Sequence, residues 1–114
     1  MLTIRADVRL CGFRPELVLA CVITNSLLER YGYDGELTGG IEGKHSRTSL
    51  HHTGSAFDLI LKHIPDGANV HHEYARIRDA LSAALSLDFD VVFEDNPIHL
   101  HIEYQPKRGY VTLP

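Results

Sequence analysis

Near the end of the chain, Ile98-His99-Leu100-His101-Ile102-Glu103-Tyr104 alternates apolar and polar residues without a break. Successive side chains of a strand point to opposite faces. The run therefore reads as a strand with Ile98, Leu100, Ile102 and Tyr104 on a core and His99, His101 and Glu103 turned away from it. Such a strand belongs to a sheet covered on one side, and the remaining segments must supply the cover.

A second strand reads from Ser55-Ala56-Phe57-Asp58-Leu59-Ile60-Leu61-Lys62, with Phe57, Leu59 and Leu61 pointing one way and Ala56, Asp58 and Ile60 the other. A third passes through Val91 and Phe93 and ends at the turn Asn96-Pro97. The segment from Gly35 begins a short strand and runs into a glycine-rich loop extending to Thr48, and an edge strand is expected near Thr3 to Val8.

Two helices are expected. The first has Pro15 where an opening turn accepts it, a dense apolar run from Leu17 to Ile23 and Gly32 placed to end it. Being apolar nearly all round, it is expected in the middle of the fold. The second repeats Val70, Tyr74, Ile77, Leu81 and Leu85 at helical spacing behind Asn69, a suitable cap. The order is strand, helix, strand, strand, helix, strand, strand. The fold class is α+β: a small, mainly antiparallel sheet with two main helices on one face, formed by a single domain over residues 1–114.

Eleven Lys and Arg against fifteen Asp and Glu leave a net charge of -4, with the basic residues scattered. That balance argues against nucleic acid as a partner. Charges at Arg5, Asp7 and Arg9 interrupt the apolar run a signal peptide needs, and no segment approaches membrane-spanning length. The expectation is a protein made in the cytoplasm, without membrane insertion and compatible with a monomer, the sequence itself leaving the oligomeric state open. Two cysteines, Cys11 and Cys21, make no disulfide framework, and Cys21 lies in the apolar helical run where a small buried thiol is the common role.

The chemistry lies on the outward faces of the two strands. Asp58 is on one, His99 and His101 are on the other, and His51 is in the loop just before the first. A catalytic zinc takes three nitrogen or oxygen donors and leaves one position for water, a demand met by two neutral imidazoles and a carboxylate. Gly54 allows a tight turn between a loop ligand and a strand ligand, and Ala56, on the face of Asp58, leaves room beside a metal. Each of these signals alone is the pattern of a solvated face; it is their combination that points to a metal.

Ser49-x-His51-x-x-Gly54-x-Ala56-x-Asp58, followed about forty residues later by His99-x-His101, resembles the zinc D-alanyl-D-alanine carboxypeptidase and phage endolysin peptidase family. That family shares its fold with the hedgehog signalling domain and its metal site with lysostaphin-type peptidases. The resemblance implies a hedgehog/DD-peptidase-like fold, zinc held by His51, Asp58 and His101, and His99 beside the attacking water and the transition state. It also implies a carboxylate a few residues before the last ligand as general base, for which Asp95 is the choice, with Glu94 and Glu103 as alternatives. Family enzymes bind the substrate carboxylate or oxyanion with an upstream arginine. Arg47 and Ser49 are the substrate-binding candidates here, and Arg47 reads equally as a solvated loop residue.

The implied activity is hydrolysis of an amide bond in peptidoglycan stem peptides by a phage or prophage lysis-type enzyme that reaches the cell wall without its own export signal. Alternatives are a zinc-stabilised binding or virion structural module without catalysis, and a D-alanyl-D-alanine dipeptidase.

Overall fold

The computed structural model describes residues 1–6, 8, 12–39, 55–95 and 97–105. Among them the elements run β1 (Leu2–Ile4), α1 (Pro15–Tyr31), β2 (Asp34–Gly39), β3 (Ala56–Lys62), α2 (Val70–Ala84), β4 (Phe89–Glu94) and β5 (His99–Tyr104). This is an α+β fold whose five strands form one sheet in the order β1-β2-β3-β5-β4. Only β1 and β2 pair in parallel; the other three pairings are antiparallel.

Local chemistry explains where the helices begin and end. At the start of α1, Pro15 brings a backbone already set for helix and lacks an N–H that would have no intrahelical acceptor. The helix stops at Gly32, whose φ of 76° is readily adopted only by glycine. Its N–H returns to the Glu29 carbonyl, and the Tyr33 N–H to that of Leu28. Helix α2 starts at Asn69, whose side-chain oxygen accepts from the His72 N–H at 3.1 Å.

The core lies between the helices and one face of the sheet. Leu17, Leu28, Phe57, Leu59, Ile77, Leu81, Leu100 and Ile102 are completely buried. Each such aliphatic or aromatic side chain contributes about 1.5–3 kcal/mol by leaving water. Helix α2 and β3 meet through a polar bond as well, since the buried Leu61 N–H donates to Tyr74 Oη at 2.8 Å. Phe93 of β4 packs edge-on against the Tyr74 ring, 5.7 Å between centroids.

Helix α1 departs from the expectation of a position in the middle of the fold. Leu17, Ala20, Thr24, Leu27 and Leu28 are buried, but Val18, Leu19 and Val22 are exposed. With one sheet and two helices there are only two layers, so nothing among the described residues lies over the outer side of α1. The edge strand is also shorter than read, ending at Ile4, and Cys11 lies outside the described residues. Cys21 packs at the margin of the core, where burial pushes its thiol pKa up to about 12. No helix of the described residues is long and apolar enough to cross a membrane.

Candidate metal centre

The face of the sheet opposite the helices carries the polar members of the alternating strands. Asp58 and His101 occupy directly paired positions of β3 and β5, and their side chains meet with His101 Nδ1 2.9 Å from Asp58 Oδ1. Both are largely covered, with 25% and 19% of the side chains exposed. The hydrogen bond to Asp58 raises the His101 pKa above its ordinary value, against the opposing effect of burial, with the charges of Asp58, Glu103 and Glu94 acting in the same direction as the bond.

One strand further out, Glu94 of β4 pairs with His99 of β5, and Glu94 Oε1 lies 3.1 Å from His99 Nε2. The other ring nitrogen of His99 is 2.6 Å from the Pro97 carbonyl oxygen, which can only accept, so Nδ1 donates to it as Nε2 must donate to a Glu94 carboxylate. The ring is thereby held from both sides. Glu103, two residues beyond His101 on the same face, reaches His101 Nε2 at 3.5 Å, and Asp90 stands opposite Glu103 in the register. Two imidazoles thus share one strip of sheet with the carboxylates of Asp58, Asp90, Glu94 and Glu103.

A glycine not singled out from the sequence completes the arrangement. Strands β2 and β3 keep regular register from Asp34↔Lys62 to Leu37↔Leu59, then slip so that Gly39, not Thr38, lies opposite Asp58. A Cβ on Gly39 would come within 2.6 Å of Asp58 Oδ2 and 3.2 Å of its Cγ. The irregularity therefore sets the one residue without a side chain where the Asp58 carboxylate needs space. Its only trace in the sequence is the Gly39-Gly40 pair, which reads as the start of a loop.

Asp95 is placed elsewhere. Its carboxylate Oδ1 lies 3.2 Å from His71 Nε2 of α2, on the helical side of the sheet, and 63% of the side chain is exposed. His71 in turn leans on the Phe93 ring, 5.6 Å between centroids. The carboxylates that share the face of His99 and His101 are Glu94 and Glu103. His51, Arg47, Ser49 and Gly54 lie outside the described residues, whereas Ala56 is fully buried beside Asp58 on β3.

Asp58 and His101 present two donor atoms 2.9 Å apart, joined by a hydrogen bond that a metal bound between them would replace. Donors bound to zinc at roughly 2.0–2.1 Å with tetrahedral angles stand about 3.3 Å from one another, close to the observed separation. Among the described residues no three His, Cys, Asp or Glu side chains converge, and His51, the third donor expected, is not among them. No family model matches the chain, and no curated protein matches it.

Proposed function

We propose that this chain is a zinc-dependent peptidase that hydrolyses an amide bond in peptidoglycan stem peptides. The observation that carries the reading is the pairing of Asp58 with His101 at 2.9 Å beside a second acid–imidazole pair, Glu94 with His99, on a sheet face turned away from the core. The first pair supplies ligands; the second supplies groups that move or steady a proton. His51, Asp58 and His101 would hold the metal, which when bound acts as a Lewis acid on the scissile carbonyl and makes water a stronger nucleophile at neutral pH.

The remaining work falls to the chain's own side chains. Glu94 takes the proton of the attacking water as its oxygen bonds to the carbonyl carbon, then delivers that proton to the amide nitrogen as the C–N bond breaks. His99, fixed by the Pro97 carbonyl through Nδ1, orients Glu94 through Nε2 and would stand beside the attacking water. Glu94 is preferred to Asp95 because it stands on the histidine face, and Glu103 is the second candidate. Arg47 and Ser49 remain the proposed contacts for the substrate's own carboxylate.

The test is mass spectrometry of fragments released from purified peptidoglycan by the zinc-loaded chain, beside a chelator-treated sample and a His101→Ala sample. Cleaved stem peptides are expected only from the first and identify the bond. If the folded, zinc-loaded chain releases nothing, the peptidase reading fails and a zinc-stabilised module without catalysis replaces it.

A further inference from the structure

Beside α1, between it and the end of α2, lie two adjoining depressions of about 350 and 250 Å³ that share Ile23 and Ala84 as walls. Together they make a trough along the helix, on the side of the sheet away from Asp58 and His101. The larger is bounded by Leu19, Leu85, Phe89 and Tyr104 and carries Glu16 at its end; the smaller carries Ser26 and Arg30. Leu19 and Val22 are each 59% exposed, and Leu87, beside the trough residues Ser86 and Asp88, is 88% exposed. Large apolar side chains exposed along and beside such a trough suit contact with another macromolecule.

The pattern of the trough specifies what that macromolecule is. Glu16, Leu19, Ile23, Ser26 and Arg30 follow one another at intervals of three, four, three and four residues and so form one stripe along α1, apolar at Leu19 and Ile23. Glu16 and Arg30 stand seven residues on either side of Ile23, an acid at one end of the stripe and a base at the other. Laid antiparallel on a second copy about a twofold axis, the stripe brings Ile23 against Ile23, Leu19 against Ser26 and Leu27, and Glu16 against Arg30 at both ends. An acid at one end of the trough and a base at the other are the charge complementarity that a second copy laid antiparallel satisfies.

We infer that the chain forms a twofold dimer through α1, packed antiparallel on α1 of a second copy. The pairing covers Val22, Leu19 and Leu87 and sets each Glu16 beside the Arg30 of the other copy. A helix of 17 residues is about 25 Å long. Contact along one such helix falls at the small end of specific interfaces, so the dimer is expected to dissociate in the micromolar range. The metal face remains open in both copies, and the inference is independent of the function proposed for it.

Sedimentation velocity on the full chain over a concentration series tests this. The native chain is expected to pass from monomer to dimer between micromolar and near-millimolar concentration. Leu19→Asp should abolish the dimer over that range while leaving the circular dichroism spectrum and melting temperature unchanged, because the position is exposed. Glu16→Arg and Arg30→Glu should each weaken self-association at least tenfold. An equimolar mixture of those two variants should regain a dimer of native strength, since each end then pairs opposite charges. A native chain that stays monomeric throughout, a dimer indifferent to Leu19→Asp, or a mixture no tighter than its separate components would overturn the inference.

Discussion

Tyr74 shows how one buried polar atom ties the layers together. Its ring fills the space between α2 and the sheet, and its oxygen accepts the Leu61 N–H at a point of β3 where water does not reach. Burial raises the Tyr74 pKa, with the Leu61 hydrogen bond opposing it, and the phenol stays neutral. Tyr74→Phe keeps the apolar volume but leaves that N–H without an acceptor, a loss expected to be about 1–3 kcal/mol. Urea unfolding of the two proteins measures it; a difference of a few tenths or less would show that the bond carries no net stability. Neither partner was legible as a pair in the sequence. Tyr74 stood out as a member of a helical stripe, whereas the bond depends on how far α2 lies from β3.

At the scale of elements, the slip between β2 and β3 is the feature on which the candidate metal centre turns. It places Gly39 across from Asp58 and keeps that carboxylate upright beside His101. Gly39→Ala is expected to rotate Asp58 away and to weaken zinc binding by roughly 10–100-fold, the scale of effects from residues that orient ligands. Competition with a chromophoric chelator reads the affinity. A thermal melt of the metal-free variant, expected close to native, separates this from a folding defect, and unchanged zinc affinity would refute the role given to Gly39. Element types and ends were largely legible, because Pro15, Gly32, Asn69 and the strict alternation of Ile98 to Tyr104 act within a few residues of themselves. The slip was not, because register is set jointly by two strands.

Across the whole molecule, charge links the ends of segments distant in sequence. Asp34, opening β2, lies 3.2 Å from His63 just past β3 and equally close to the Met1 ammonium. The His63 hydrogen bond first, and then the amino group, hold its carboxyl pKa below the ordinary aspartate value. A carboxylate depressed on folding adds stability that is fully present above its unfolded pKa and is lost as pH falls through the lower, folded one. Asp34→Asn should therefore make stability fall less steeply with acid below the ordinary carboxylate range. The two proteins should converge once Asp34 is protonated, and their difference should shrink in high salt because the site is exposed. Melting temperatures across that range at two salt concentrations test the sign; a native chain more stable than the variant only in acid would reverse it.

The amino-acid sequence by itself determined the α+β class, the order of the seven elements, the core faces of β3 and β5 and the outward placement of Asp58, His99 and His101. These follow from periodicity, caps and turns, which are properties of neighbouring residues. Only the tertiary structure decided that Asp58 meets His101, that Glu94 shares their face while Asp95 turns to His71, and that α1 leaves one side uncovered. Each of those rests on strand register, on the sense in which a strand's end bends, or on how many layers the chain can build. Such quantities are set by contacts between residues far apart in the chain, and no local pattern encodes them.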